Sequence, residues 1–219
     1  LCDYVDSLPF AESFDSIAVN GYPSCWFRLT NQSSLYPYVS SSYSSSPSRS
    51  LYFYSSGSGY YTIAALPRFD DSILMDSLVI GFKTYFPYSS YFLEVGFMTD
   101  PTDPSTFTNF QTIHPIAAST WETYELITRT YAGNGHYVAF RLPVGTYNYA
   151  YLDDINISYI PSCPHVNNLA VASVDSGDVN LTWTSGSSET AWEVIVAPYG
   201  PVDLDTCTAN YPSTNSYSE

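Results

Sequence analysis

Lysine is almost missing from this chain. Lys83 is the only one, and six basic residues face 21 Asp and Glu, a formal charge of −15. A field of that sign repels phosphate backbones and anionic lipid heads, which argues against nucleic acid and suits neutral glycans, cationic surfaces or divalent cations. Long apolar runs are missing too: none approaches the roughly 18 residues of a membrane span, so no membrane insertion is expected. The opening "LCDYVDSLPF" has neither a basic n-region nor an apolar h-region, so a signal peptide is expected to be removed or to lie upstream. Helical periodicity is nearly absent, which sets aside α and βαβ folds. Four cysteines, Cys2, Cys25, Cys163 and Cys207, contain no C-x-x-C, so neither a zinc ribbon nor a thioredoxin motif is available. Their even number in a lysine-poor chain points to an oxidising compartment and to within-segment pairs, Cys2–Cys25 and Cys163–Cys207, with reduced thiols as the alternative. The three histidines, His114, His136 and His165, come with no G-x-S-x-G elbow. Phosphate-loop and H-E-x-x-H motifs are also lacking.

Aromatics, by contrast, are abundant. They make up 17% of 219 residues, with 22 Tyr, in a chain that is 45% hydrophobic, enough for a packed core. Period-2 alternation recurs between Pro, Gly and Ser punctuation. "LVIGFKTYF" sets Leu78, Ile80 and Phe82 on one face, and "YFLEVGFMT" does the same for Leu93, Val95 and Phe97. "FTNFQTI", "ETYELIT", "HYVAFRL" and "YAYLDDINI" continue the series. The expected fold class is all-β, an antiparallel sandwich or barrel. The tract "SSLYPYVSSSYSSSPSRS" (33–50) runs straight into the strand "LYFYS" and reads as a long surface loop within the domain. In "TDPTDPS", Asp100 and Asp103 read as turn formers before proline.

At residue 161 the texture changes. "NLAVASV", "VNLTWT" and "AWEVIVA" resemble the opening half of a fibronectin type III domain, with Trp183 as its core anchor and Trp192 at the position of the strand-C aromatic. Such a domain needs about seven strands and roughly 100 residues, more than residues 161–219 supply. This segment is therefore expected to be partial and less stable than residues 1–160.

Four further pieces, in order, carry a second resemblance: "LPFAESFDSI…GYPSCWFRL", "SRSLYFYSSGSGYYTIAALPRF", "STWETYELITRTYAGNGHYVAFRL" and "YLDDINI". Together they resemble the jelly-roll cleaved-adhesin or choice-of-anchor J type domain of gingipain haemagglutinin regions, related to MAM domains. The resemblance implies a jelly-roll β-sandwich over 1–160. It also implies a non-catalytic adhesion or ligand-binding module of a larger secreted or cell-surface protein, binding a glycan or a host surface protein. The alternatives are a carbohydrate-binding accessory module of a secreted glycosidase or protease, and an architectural spacer.

Two aspartates stand in the middle of the last strand of that segment. Unbroken alternation puts Tyr151, Asp153, Ile155 and Ile157 on one face and Leu152, Asp154 and Asn156 on the other. Asp153 would then lie in the core, where an unpaired carboxylate costs several kcal/mol. Glu12 between Phe10 and Phe14 poses the same problem. Oxygen ligands in flexible geometry suit Ca²⁺, and the resemblance implies a structural calcium joining first strand to last. That set would be Glu12 and Asp153, with Asp15 and Asp154 as further candidates. An arginine (Arg28 or Arg141) or backbone N–H groups are the alternatives.

For ligand binding, strands that alternate in direction from Leu78 bring the connections 87–90, 114–119 and 143–148 to one end, gathering Phe86, Tyr88, Tyr91, Tyr147 and Tyr149. Tyrosine combines flat apolar area with a hydroxyl, which suits sugar faces and protein hot spots; strand-end packing is the alternative. Tyr36, Tyr38 and Tyr43 form a second, diffuse group. No enzyme is expected. Glu94, Glu122 and Glu125 are the carboxylates open to a glycosidase pair, and on strands they read as solubilising.

Overall fold

The structure is a computed structural model that describes residues 4–33, 35–57, 59–145, 147–161, 166–175, 178–186, 189–192, 194–195, 209–210, 212 and 216–218. The chain divides into two compact units, Leu1–Ile160 and Pro161–Glu219. Strands β1 (Phe10–Glu12), β2 (Phe27–Thr30), β3 (Tyr38–Ser40), β4 (Ser50–Ser56), β5 (Thr62–Ala65) and β6 (Leu78–Tyr85) open the first unit. β7 (Leu93–Met98), β8 (Thr108–Ile113), β9 (Trp121–Ile127), β10 (Tyr137–Leu142) and β11 (Tyr147–Tyr159) complete it. They form two antiparallel sheets, β3-β4-β11-β6-β9 with β1 added beside β11, and β2-β5-β10-β7-β8. The expected all-β sandwich is the observed architecture.

The alternation in β6 shows why these residues make strands. Leu78, Ile80 and Phe82 are buried to 1% or less, while Val79, Gly81 and Lys83 face outward and are only partly covered. Leu93, Val95 and Phe97 of β7 supply the opposing wall. The layers interlock where Phe82 meets Phe140 edge to face at 5.2 Å. Fully burying one such ring contributes roughly 1.5–3 kcal/mol.

Most connections cross between sheets, and this positions the site. Segments 86–92 and 114–120 meet at one end. Ser119 N–H donates to Phe86 O (2.7 Å), and the Phe92 and His114 rings lie 5.3 Å apart. The tract 33–50 belongs to this unit but is more than a loop, because β3 pairs with β4 through Tyr38–Tyr52 and Val39–Leu51.

In the second unit β12 (Asn167–Val174), β13 (Val179–Thr184) and β16 (Ser216–Ser218) form one sheet. β14 (Val194–Ile195) and β15 (Ala209–Asn210) form a pair. Trp183 is buried and packs edge-on against Trp192 at 5.8 Å. β12 is exposed along its whole length, with Leu169, Val171 and Val174 all more than half accessible. Cys25 is half-buried and forms no disulfide among the described residues; Cys2, Cys163 and Cys207 lie outside them. No helix among the described residues is long and apolar enough to cross a membrane.

Candidate functional site

A single extra residue in β11 sets the chemistry of the whole sheet. Asp153 pairs with Lys83 and Asn156 with Gly81, so three steps of β11 span two of β6. Asp154 takes φ +48° to make the bulge, a conformation that a short polar side chain tolerates better than a β-branched one. The phase of the strand flips there. Ala150 and Leu152 face the core before the bulge, Ile155 and Ile157 after it. Tyr147, Tyr149 and Tyr151 are left on the outer face. Unbroken alternation is therefore wrong at this point, and Asp153 does not lie beneath the isoleucines. It shares the outer face with Tyr151 and is fully buried there by the serine tract.

What holds its charge is backbone. One carboxylate oxygen accepts from Ser45 N–H (2.7 Å) and Ser46 N–H (3.3 Å). The other accepts from Asp154 N–H at 2.8 Å. Loss of water dominates these hydrogen bonds and pushes the Asp153 carboxyl up to about 6. Asp154 pairs with Lys83 Nζ at 3.0 Å. Asp15 accepts from Arg49 N–H (3.0 Å), Ser48 N–H and Ser46 Oγ. Glu12 lies opposite Ile155 and accepts from Phe14 N–H (2.6 Å); burial, above all, raises its pKa. The carboxylate whose charge acts on Glu12 is Asp15, and the one acting on Asp153 is Asp154.

The residues as placed do not fit a calcium ion joining Glu12 to Asp153. Among the described residues no three His, Cys, Asp or Glu converge on a common point. N–H donors occupy the Asp153 oxygens where a cation would sit. Backbone donors, the alternative open from sequence, are what this seam contains.

Pinned in this way, residues 41–49 fold across the outer face. Ser50 Oγ donates to Tyr43 O (2.5 Å), and Arg49 donates to the carbonyls of Asp15 and Ile17. Tyr43 is thereby laid over Tyr85, stacked at 4.6 Å, and beside Tyr151 at 5.1 Å.

Beneath it runs a transverse aromatic row. Tyr38, Tyr52, Tyr151, Tyr85 and Trp121 are successive register partners on β3, β4, β11, β6 and β9. Their ring centroids are 5.3, 4.9, 6.0 and 5.8 Å apart in that order. At the usual strand spacing the row is about 19 Å across, the length of a short oligosaccharide. Tyr43 covers its centre; Tyr85 and Tyr151 retain only 9% and 6% exposure. The open part lies toward the end loops. Tyr54 meets Tyr147 at 5.6 Å, Tyr91 meets Tyr149 at 5.3 Å, and Tyr88 meets Tyr91 at 5.1 Å.

Of the five end-loop aromatics expected from sequence, the structure brings Tyr88, Tyr91, Tyr147 and Tyr149 together. Phe86 is the correction: at 1% exposure it is a core residue and presents nothing to a ligand. Sequence reasoning missed Tyr52, Tyr54, Tyr85, Trp121 and Tyr151 as members of the same surface. The signal for Tyr52, Tyr54 and Tyr151 was the tyrosine on every second position of "LYFYS" and "YNYAY"; Tyr85 and Trp121 lie outside those repeats. Burial raises the pKa values of Tyr54, Tyr91 and Tyr149, and that of Tyr151 to about 12. These phenols are therefore neutral hydroxyls at physiological pH.

The remaining carboxylate candidates are mostly committed elsewhere. Glu94 pairs with Arg141 Nε at 2.7 Å, under a guanidinium 3.9 Å from the Phe107 ring centre. Glu122 accepts from Ile116 and Ala117 N–H (2.9 and 2.6 Å) and from the Tyr124 hydroxyl. Glu125 is exposed on β9. Asp100 and Asp103 each accept from a backbone N–H two residues ahead, at 2.8 and 2.9 Å, which is turn chemistry. His114 packs on Phe92, and His136 lies 3.8 Å from Asp71. His165 lies outside the described residues.

No protein-family profile matches the chain, and no curated protein sequence does either. Solved structures do resemble it. The K1 cleaved adhesin domain of Lys-gingipain from Porphyromonas gingivalis W83 superposes with a TM-score of 0.52 at 20% identity, covering 70% of this chain and 99% of that one. The K2 cleaved adhesin domain of Lys-gingipain gives 0.54 at 16% identity, covering 68% and 97%. This chain therefore carries the jelly-roll fold of the gingipain cleaved adhesin domains.

Proposed function

We propose that the first unit is a non-catalytic module of a secreted or surface protein that captures glycan on the tyrosine face of its β3-β4-β11-β6-β9 sheet. The observation that carries this reading is the continuous outer-face aromatic surface. Aromatics from all five strands stand in one row, and an open patch of Tyr54, Tyr88, Tyr91, Tyr147 and Tyr149 lies beside it. A core does not require outward-facing tyrosines. Sugar rings present flat C–H faces to such rings and hydroxyls to the phenols around them. Covering roughly 60 Å² of ring per sugar is worth about 1.5 kcal/mol at 25 cal/mol per Å², close to tenfold in affinity.

A glycan array probed with the whole chain tests the reading, followed by Tyr54→Ala and Tyr147→Ala. Both rings are at least partly accessible. Each substitution should weaken the bound glycans about tenfold and leave the melting temperature within a few degrees. A blank array at high protein concentration rejects the glycan reading, and capture of a deglycosylated host protein instead would assign the face to protein recognition.

A further inference from the structure

The aromatic row has an end with a charge of its own. Beyond Tyr38, on the edge strand β3, an open cavity of about 350 Å³ is lined by Asn20, Arg28, Tyr36 and Tyr38. That is at the small end of ligand pockets, room for one monosaccharide. Arg28 is held in place from two sides, its guanidinium carbon 5.0 Å from the Tyr22 ring centre and 5.2 Å from that of Tyr36. It donates one long hydrogen bond to Pro37 O (3.4 Å), so most of its five N–H donors are left for solvent or ligand.

Of the chain's six basic residues, three form ion pairs with carboxylates among the described residues, and Arg28 is not one of them. Arg68, Lys83 and Arg141 pair with Asp71, Asp154 and Glu94, and Arg49 bonds backbone carbonyls. Among the described residues no carboxylate lines the Arg28 cavity. The negative field of the whole chain opposes an anion at long range, but salt screens it beyond about 8–10 Å. The planar fork of a preorganised guanidinium acts inside that distance and matches a carboxylate with two parallel hydrogen bonds.

We infer that this cavity is a subsite for a carboxylate-bearing sugar, a uronate or sialate residue, at one end of a chain that runs from Tyr38 past Tyr52 to the open Tyr54–Tyr147 patch. The inference rests on the glycan reading and adds the ligand's charge to it. The accessible rings of Tyr38, Tyr52, Tyr54 and Tyr147 hold the body of the oligosaccharide, and Arg28 selects an acidic unit and fixes its direction. Asn20 and the Tyr36 and Tyr38 hydroxyls are placed to bond the ring hydroxyls of that unit.

The experiment is an array of uronate- and sialate-bearing oligosaccharides, each matched by its carboxyl methyl ester. Wild type, Arg28→Lys and Arg28→Gln are compared, with melting temperatures recorded alongside. Wild type should bind at least one acid about tenfold or more tighter than its ester, the usual size of a charge-assisted pair of hydrogen bonds. Arg28→Gln should abolish that preference while keeping ester binding. Arg28→Lys, which retains the charge but not the fork, should lose most of it at an unchanged melting temperature. Equal binding of acid and ester by wild type overturns this inference and leaves the tyrosine face standing. An acid preference that survives Arg28→Gln overturns the assignment to Arg28. No binding of either form overturns this inference, and the glycan reading falls with it only where the general glycan array is blank as well.

Discussion

Asp153 gives the sharpest test of how the face is built. Replacing it with Asn keeps an oxygen for the Ser45 and Ser46 N–H groups and removes the titration. Burial raises the wild-type carboxyl from its ordinary 3.8 to about 6 in the folded protein. Between those values the folded state holds a proton that the unfolded chain has released. The contribution of Asp153 is therefore fully present below pH 3.8 and lost as pH rises through 6. At 1.36 kcal/mol per pH unit the difference is about 3 kcal/mol, a large fraction of a domain's 5–15 kcal/mol. For a unit of this size it corresponds to roughly 6–12 °C in melting temperature. Urea denaturation from pH 4 to 8, followed by aromatic fluorescence, measures it as wild type minus Asp153→Asn. The subtraction cancels the distant carboxylates with lowered pKa values, Asp70, Asp100 and Glu122, whose effects run the other way. Wild type should lose about 2 kcal/mol relative to the variant on going from pH 4 to 8, the rest of the difference having been lost below pH 4. A flat difference, or one that grows with pH as it would for a carboxylate ionised by a bound cation, refutes the backbone-cradle account.

Three further outcomes follow from the same structure. Excess EDTA should leave the melting curve of the first unit unchanged, because the seam carboxylates are satisfied by N–H donors and Lys83; a drop of several degrees, reversed by Ca²⁺, would contradict this. Gly96→Ala should destabilise by more than 2 kcal/mol in chemical denaturation. An added Cβ there meets Thr108 O at 2.1 Å, at the register irregularity where β8 pairs beside β7, and backbone cannot yield as a side chain does; a change under 0.5 kcal/mol would show the two strands are not so close. Phe140→Ala should cost about 3–5 kcal/mol, since its fully buried ring meets Phe82 across the two sheets; a loss under 1 kcal/mol would mean the sheets do not pack there.

The core was legible wherever alternation ran unbroken. Leu78, Ile80 and Phe82, with Leu93, Val95 and Phe97 opposite, are buried as their spacing required. Within the strands, legibility failed at the bulge. Period 2 is a phase, and the bulge at Asp154 inverts it, so a rule correct for Ile155 and Ile157 misplaced Asp153 and Tyr151. The calcium expectation was built on that misplacement. Its physical premise stood, since the carboxylate is indeed buried and in need of donors. The donors come from Ser45 and Ser46, 108 and 107 residues away in sequence, which no local pattern reveals. The aromatic row is hidden for a related reason. Each strand shows its own aromatic, but their alignment depends on four registers that the turns and the bulge decide. Phe86 was misassigned because a loop position was equated with exposure, whereas its ring turns back into the core.

The claim beneath all of this is that a ligand lies on the outer tyrosine face. Ring-labelled tyrosine NMR, titrated with the strongest glycan from the array, tests it most directly. Shifts should concentrate on Tyr54, Tyr88, Tyr91 and Tyr147 and leave Tyr131, stacked on Phe97 at 3.8 Å, unmoved. Perturbation centred on Tyr131, or saturating binding with those four rings silent, would contradict it.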